Sequence, residues 1–350
     1  MRKLKYSEAI NEALSQSMAK SKKVIVLGLG CDDPKGIFGT TLGLKEKYGK
    51  NRVFDVPTAE NALTGICIGI ATEGFRPVLS HQRVEFALLS LEQIFNQAAK
   101  WNFMSAGKKK VPIVIRLIIG RGWGQGPQHS QSLESIFAHI PGLIVVSPST
   151  AFDAKGMLNA SIRNDNPVVF FEHRWLHGNF GNVPHHYYES SIYTSKVLVK
   201  GNDITLVSSS FMSIECIKAA RYLKKYNINC EVLDLRVLRP LDSEAILKTI
   251  KKTKKLLVVD NGLMKFGISS EIISTIIDQE PVNNFSLNRI GLLDAPIASS
   301  RALAKYSYPT YISIMIKVFE ILRKKIPDQI KKNPDLFSKD QPDLNFKGPF

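Results

Sequence analysis

Short apolar runs rich in β-branched residues recur along the chain and alternate with amphipathic helical patterns. Ten runs are typical of strands: residues 23–27, 52–55, 77–80, 112–116, 143–147, 168–172, 204–208, 229–234, 255–259 and 286–290. Runs this apolar predict strands that are buried on both faces. Helical patterns lie between them, over residues 90–101, 153–163, 213–226 and 242–251. This alternation predicts an α/β fold, with parallel sheets between layers of helices.

The chain is long enough for two domains, because 350 residues can bury two full cores. A polar stretch with weak periodicity separates the two groups of strands, and we interpret it as a linker. We expect a first domain over residues 1–180, a linker over 181–202, a second domain over 203–328 and a C-terminal tail over 329–350. The tail is rich in proline, which indicates either a disordered segment or an arm laid on a partner.

Composition and charge exclude several classes of protein. No apolar run is long enough to span a membrane, so we expect no membrane partner. The four scattered cysteines indicate free thiols, so we expect a cytoplasmic protein. The formal net charge is +16, but the basic residues are spread out and no nucleic-acid recognition motif accompanies them. We interpret the charge as a solvated basic surface and expect no nucleic-acid partner; steering of an acidic protein partner is the alternative.

Glu60 begins a helical pattern in which Gly65 and Gly69 lie four residues apart. These glycines leave one helical face bare, so another backbone can approach it closely. An exposed acid favoured by the helix dipole is the simpler interpretation of an isolated Glu. However, Glu60 follows a predicted strand, and the carboxyl ends of parallel strands are where α/β folds bind ligands.

Two further residues are candidates for chemistry. His129 closes a loop, residues 120–132, in which four glycines occupy every second position. Its imidazole can donate or accept a proton near neutral pH; the alternative is an ordinary loop with a hydrogen-bonded His. Phe86 follows the strand that ends at Ser80, where its ring either belongs to the core or stacks on a flat heterocycle.

Eight motifs, in order, resemble those of the β subunits of the thiamine-diphosphate-dependent decarboxylase component of 2-oxoacid dehydrogenase complexes, of the pyruvate and branched-chain type. The motifs are RVFDVPTAE at 52–60, EQI at 92–94, QHSQ at 128–131, FAHIPG at 137–142, VVSP at 145–148, DAKG at 153–156, NPV at 166–168 and LRVLRPLD at 235–242. The resemblance runs from about Leu4 to Ile326. It implies a transketolase-like fold of two doubly wound three-layer domains, a pyrimidine-binding domain followed by the transketolase C-terminal domain.

The resemblance also implies roles for the candidate residues. The reaction would be oxidative decarboxylation of a 2-oxoacid, with pyruvate favoured, and acyl transfer to a lipoyl domain. Glu60 would hydrogen-bond a ring nitrogen of the cofactor's aminopyrimidine and favour its imino tautomer. Phe86 and Gln82 would contact the cofactor, and His129 would act as a proton donor or anion stabiliser toward the substrate or lipoyl group.

The partners and ions follow from the same resemblance. Thiamine-diphosphate enzymes usually hold Mg²⁺ and the diphosphate with a Gly-Asp-Gly motif, which this sequence lacks. We therefore expect a separate α subunit that supplies those ligands, an α2β2 assembly, and a lipoyl acyltransferase as a further partner. The resemblance also implies a K⁺ ion held through the backbone of Ile113, Ser161 and Asn166.

Three departures from the family pattern concern the substrate. Leu29 stands where an acid is usual, Gly122-Trp123-Gly124 is bulkier than usual, and Ser80-His81-Gln82-Arg83 replaces the Glu-Phe-Met-Thr of pyruvate-type chains. His81 and Arg83 would suit an anionic or hydroxylated substrate; a solvated or ion-paired turn is the alternative. Two other functions therefore stay open: a two-chain transketolase-like or acetoin-type enzyme that does not use lipoamide, and a degenerate structural or regulatory subunit.

Overall fold

The computed structural model describes residues 2–120 and 124–337. The predictions about Arg121, Gly122 and Trp123, and those about residues 338–350 of the tail, lie outside the described residues. Contacts divide the described chain into one unit of residues 2–120 and 136–192 and another of residues 124–135 and 193–337. Each unit is built from alternating strands and helices, as the apolar pattern predicts. The domain and linker bounds given above stay predictions.

The first unit begins with an antiparallel strand and continues as a succession of strands and helices. Its strands are β1 (Arg2–Lys5), β2 (Val24–Gly28), β3 (Val53–Phe54), β4 (Arg76–His81), β5 (Val114–Ile119), β6 (Ile144–Val146), β7 (Val168–His173) and β8 (Phe180–Val183). The helices are α1 (Tyr6–Lys20), α2 (Gly36–Gly39), α3 (Leu44–Tyr48), α4 (Glu60–Thr72), α5 (Val84–Ala87), α6 (Ala99–Met104), α7 (Glu134–Ala138) and α8 (Ala151–Arg163). The first two residues of α7 belong to the second unit.

A parallel sheet forms the centre of this unit. Its strands are hydrogen-bonded in the order β6-β7-β5-β4-β2-β3, and every neighbouring pair is parallel. All residues of β2, β5, β6 and β7 are buried, as expected of strands covered on both faces. β1 and β8 pair antiparallel outside this sheet.

The second unit has a smaller mixed sheet. The strands of the second unit are β9 (Lys196–Val199), β10 (Ile204–Ser208), β11 (Cys230–Asp234), β12 (Val237–Arg239), β13 (Lys255–Leu263) and β14 (Ser286–Leu292), and all of them except β12 belong to this sheet. Its helices are α9 (Ser210–Leu223), α10 (Ser243–Thr253), α11 (Ile268–Gln279), α12 (Arg301–Ala304), α13 (Tyr311–Ile321) and α14 (Asp328–Lys331). The order is β14-β13-β10-β11-β9, parallel except that β9 pairs antiparallel with β11.

The structure differs from the sequence-based expectation at two points. Two strands, β8 and β9, form within or at the edge of the stretch interpreted as a linker. Their own apolar pattern is weak, and backbone hydrogen bonds to distant strands stabilise them. The helix expected over residues 90–101 is present, but it starts from a 3₁₀ turn at Leu88–Ser90 and contains a π-helical turn at Gln93–Ala98 before α6. None of the helices in the described ranges has the length and apolar character that crossing a membrane requires.

Candidate active site

A cavity lies at the carboxyl ends of β2, β3 and β4 in the first unit. Its lining includes Leu29, Glu60, Leu63, His81, Gln82 and Phe86. These residues follow, or end, three neighbouring parallel strands, whose carboxyl ends meet at one edge of the sheet. Glu60 is half-buried in the first turn of α4, and Phe86 is half-buried in α5. The fold therefore brings five of the residues singled out from the sequence into one cavity: Leu29, Glu60, His81, Gln82 and Phe86.

Two side chains fix the backbone around this cavity. Asp55 Oδ1 accepts hydrogen bonds from the backbone N–H of Gly30 (2.7 Å) and from that of Val56 (2.8 Å). Gln82 donates from Nε2 to the carbonyl oxygen of Leu29 (3.0 Å). The ends of β2, β3 and β4 are thereby connected to one another. The amide nitrogen of Gln82 is thus engaged in a hydrogen bond within the chain. A direct contact between Gln82 and a cofactor stays a prediction.

Glycine at position 28 permits the close approach of β2 and β4. Its φ of 151° is in the region that L side chains rarely adopt, and a Cβ there would overlap the carbonyl oxygen of Ser80. Any larger residue at Gly28 would push the two strand ends apart and change the shape of the cavity wall.

A buried charged network lies behind the cavity wall. The guanidinium of Arg116 donates to both carboxylate oxygens of Glu172 (2.5 and 2.9 Å), to Ser80 Oγ (3.0 Å) and to Thr40 Oγ1 (2.9 Å). His177 Nε2 lies 3.2 Å from the same carboxylate. Arg116 and Glu172 are completely buried. Because Ser80 lines the cavity, this network positions the end of β4.

This network was not among the features predicted from the sequence. Its signal was present, since Arg116 and Glu172 interrupt the apolar runs of two strands with opposite charges. The side chains were not recognisable as partners until β5 and β7 were known to be neighbours in the sheet. A bidentate Arg–carboxylate pair is what a buried guanidinium requires.

His81 and Arg83 occupy different settings, although only Gln82 separates them in the sequence. His81 lines the cavity and is 5% exposed, and burial lowers its pKa to about 4. Arg83 does not line the cavity. Burial lowers the pKa of Arg83, and the Glu85 carboxylate opposes that shift. Burial and then the neighbouring charge of Arg83 lower the pKa of Arg174 to about 9, so Arg83 lies beside a second cation.

His129 belongs to the second unit, where it is half-buried. Its loop is held at two points. Tyr308 donates from its hydroxyl to the carbonyl oxygen of Ser130 (3.2 Å), and a Cβ at Gly126, whose φ is 61°, would overlap the hydroxyl of Ser299. The loop is therefore fixed on both sides of His129, while the approach of His129 to a substrate stays a prediction.

Glu134, five residues after His129, is a buried acid of the second unit. Burial, together with the charge of nearby Asp260, raises its pKa to about 8 and outweighs a backbone hydrogen bond that lowers it. Since this value lies above the unfolded pKa of about 4.3, the folded state binds an extra proton between these values. The stabilisation is complete below about pH 4 and is lost as the pH rises to about 8.

We therefore expect the free energy of unfolding of the wild type to fall by on the order of 3 kcal/mol from pH 5 to pH 8. The variant Glu134→Gln has no carboxyl group at this position and should not show this fall. Urea unfolding at several pH values measures it. Glu244→Gln, at an exposed acid in the first turn of α10, is the control and should keep the wild-type slope. An unchanged slope in Glu134→Gln would contradict the burial of a protonated carboxyl group.

The remaining predicted residues lie away from the cavity. On α4, a Cβ at Gly65 would lie 3.4 Å from the side-chain oxygen of Gln93, whereas a Cβ at Gly69 would meet nothing within 4 Å outside its own helix. Within the described residues, the predicted bare face is therefore covered at Gly65 and open at Gly69. Ile113, Ser161 and Asn166 lie near the amino ends of β5 and β7 and in α8. The first two carbonyl oxygens already accept backbone hydrogen bonds, and the K⁺ site stays a prediction.

Comparison with known proteins identifies both units. Residues 2–178 match the family model of the transketolase pyrimidine-binding domain, and residues 194–314 match that of the transketolase C-terminal domain. The cavity with Glu60 therefore belongs to the region that matches the pyrimidine-binding domain. The likeness to transketolase-type proteins predicted from the sequence is confirmed, as is the two-domain α/β fold.

Two curated relatives, both β subunits, are similar to this chain over most of its length. The acetoin:2,6-dichlorophenolindophenol oxidoreductase subunit beta of Cupriavidus necator is 39% identical over 79% of this chain and 85% of that protein. The pyruvate dehydrogenase E1 component subunit beta of Rickettsia conorii is 37% identical over 83% of this chain and 86% of that protein.

A solved structure supports the fold. A chain described as "Split gene transketolase, inactive beta4 tetramer" has a TM-score of 0.75 and 21% identity, covering 92% of this chain and 99% of that one. Together with the two domain matches and the curated relatives, this likeness agrees with the resemblance inferred from the eight sequence motifs. The chain belongs to the transketolase-like family of β subunits that includes those of pyruvate dehydrogenase E1.

Proposed function

We propose that this chain is the β subunit of a thiamine-diphosphate-dependent 2-oxoacid dehydrogenase, with pyruvate as the favoured substrate. One observation carries the proposal: Glu60 and Phe86 line the same cavity at the carboxyl ends of three parallel strands. A carboxylate and an aromatic ring on one wall are what a flat, basic heterocycle requires.

The cavity residues fit the pyrimidine ring of thiamine diphosphate. The Glu60 carboxylate would hold a proton at a ring nitrogen, and the Phe86 ring would lie against the flat face. Leu29 and Leu63 add apolar lining, which keeps water from the carboxylate. When bound, thiamine diphosphate supplies the nucleophilic carbon that attacks the 2-oxo group. His129 would donate a proton to, or stabilise negative charge on, the substrate or the lipoyl group.

The chain requires a companion in this proposal. Its 350 residues contain no Gly-Asp-Gly motif for Mg²⁺ and the diphosphate, so an α subunit supplies those ligands, in an α2β2 assembly. The open face at Gly69 of α4 is a surface on which such a partner can approach closely. A lipoyl acyltransferase would receive the acyl group, and K⁺ would be held through Ile113, Ser161 and Asn166.

The isolated chain is expected not to bind thiamine diphosphate with Mg²⁺ at micromolar concentration and not to decarboxylate pyruvate. Isothermal titration calorimetry on the purified chain, and on the complex with its α subunit, measures both states. Micromolar binding and turnover by the isolated chain would overturn the proposal of a shared site.

A second candidate function is an acetoin-type enzyme that uses a small acceptor in place of lipoamide. The relative from Cupriavidus necator favours it, since that protein is an acetoin:2,6-dichlorophenolindophenol oxidoreductase subunit. A panel of pyruvate, longer 2-oxoacids and acetoin, each with lipoamide or with dichlorophenolindophenol, separates the two functions. Product that depends on pyruvate and lipoamide supports the first, and turnover of acetoin with the dye alone supports the second.

We also propose a cytoplasmic compartment, which the state of the cysteines supports. Cys31, Cys67, Cys216 and Cys230 are free and buried, which supports the proposal of a reducing, cytoplasmic environment. Burial raises the pKa of each thiol, so these cysteines are inert rather than catalytic.

A further inference from the structure

His81 carries a nitrogen that the chain leaves without a partner. Its side chain is 5% exposed, it lines the cavity with Glu60 and Phe86, and its Nε2 atom is buried and makes no hydrogen bond to the described residues. Buried polar atoms are almost always hydrogen-bonded, and leaving one unpaired is costly. Because His81 lines the cavity, its unpaired nitrogen points to a polar group on the molecule that fills the cavity as the missing partner.

The chemistry of His81 favours a neutral occupant over an anion. Burial lowers its pKa to about 4, so the imidazole is uncharged near neutral pH and gives a 2-oxoacid carboxylate no opposite charge. The cation of the same segment, Arg83, does not line the cavity. A neutral imidazole has one donor and one acceptor nitrogen, which suits the edge of a heterocycle that bears ring nitrogens and an amino group.

We propose that His81 hydrogen-bonds, through Nε2, the edge of the pyrimidine ring held between Glu60 and Phe86, and so sets the affinity of this subunit for its cofactor and not for the 2-oxoacid. The inference rests on the proposed function, because it takes thiamine diphosphate as the occupant. It reassigns His81 from the substrate, where the sequence analysis placed it, to the cofactor. Pyruvate-type chains usually have a phenylalanine at this position, so His81 places a polar ring where an apolar one is usual.

The test uses the complex with the α subunit and measures binding without substrate. In His81→Phe, the dissociation constant of thiamine diphosphate with Mg²⁺ should rise about 5- to 20-fold, because one hydrogen bond is lost and a polar group of the ring is left unpaired. His81→Gln retains an amide nitrogen at the ε position and should recover most of the affinity. His139→Phe makes the same change at an exposed histidine and should bind like the wild type.

Two further measurements separate the possible outcomes. Inorganic diphosphate with Mg²⁺ lacks the ring, so its affinity should be equal in the wild type and in His81→Phe. The KM for pyruvate at saturating cofactor should also be unchanged. A raised KM with unchanged cofactor affinity would overturn the inference and return His81 to the substrate. If the wild-type complex binds no thiamine diphosphate, the proposed function fails along with the inference.

Discussion

Replacing Glu60 by Gln is expected to lower the turnover number of the complex with its α subunit by about 10²- to 10⁴-fold. Gln keeps the size and the polar contacts of the side chain but cannot favour a protonated ring nitrogen through charge. Glu60 is half-buried in the cavity wall at the start of α4, so the substitution changes the chemistry and leaves the fold intact. Initial rates at saturating thiamine diphosphate and pyruvate measure the effect.

The same helix offers a matched control. Glu73, the exposed C-cap residue of α4, can be changed to Gln without altering the cavity, and that variant should turn over like the wild type. Size-exclusion chromatography should show that both variants assemble with the α subunit. Near-normal turnover of Glu60→Gln would refute the catalytic role of Glu60, whereas failed assembly of this variant alone would indicate an interface role.

Replacing Arg116 by Met is expected to lower the free energy of unfolding by about 3–5 kcal/mol. The substitution leaves Glu172, which is completely buried, without the cation that accompanies it in the fold. Arg163→Met provides the control, because Arg163 forms an exposed pair with Glu189 (3.1 Å) and should lose less than about 1 kcal/mol. Urea unfolding at pH 7 measures both. Equal losses of unfolding free energy in the two variants would mean that the buried pair stabilises the fold no more than the exposed pair does.

A double variant tests whether the loss arises from the pair itself. With Arg116→Met and Glu172→Leu combined, no unpaired buried charge is left, so we expect much of the stability to return. A loss equal to the sum of the two single substitutions would show that the two residues act independently. In that case, Arg116 would stabilise the chain mainly through Ser80 and Thr40.

The pH dependence of the same variant gives a further check. Burial by itself raises the pKa of Glu172, but Arg116 and His177 outweigh it and hold the pKa at about 2. This value lies below the unfolded pKa of about 4.3, so the stabilisation is complete above about pH 5 and is lost as the pH falls toward 2. The difference in stability between wild type and Arg116→Met should therefore shrink over that range.

Most of the strands were predictable because their signal is local. Each of the ten predicted runs overlaps an observed strand, since continuous β-branched sequence is favourable only where both faces are buried. The predictions missed β1, β8, β9 and β12. The first three pair antiparallel and are only partly buried, and β12 has only three residues. The helix expected over residues 90–101 is observed, but the π-helical turn at Gln93–Ala98, which the apolar pattern did not indicate, shifts its register.

The candidate site was predictable in part. Glu60 and Phe86 each follow a strand, and the common edge of a parallel sheet brings them together. The sequence could not separate His81 from Arg83, because residues two positions apart in a strand-to-helix segment take different directions once the helix begins. It also could not pair Arg116 with Glu172, since strand order in a sheet is not encoded locally.

The amino-acid sequence by itself determined the succession of strands and helices, the two-domain family and the acid at the start of α4, because apolar periodicity and motif spacing are properties of neighbouring residues. Only the tertiary structure decided which side chains share a cavity, which charges are buried together and which imidazole nitrogen is left without a partner. These properties depend on the order of strands in the sheet and on burial, which arise from contacts between residues far apart in the chain.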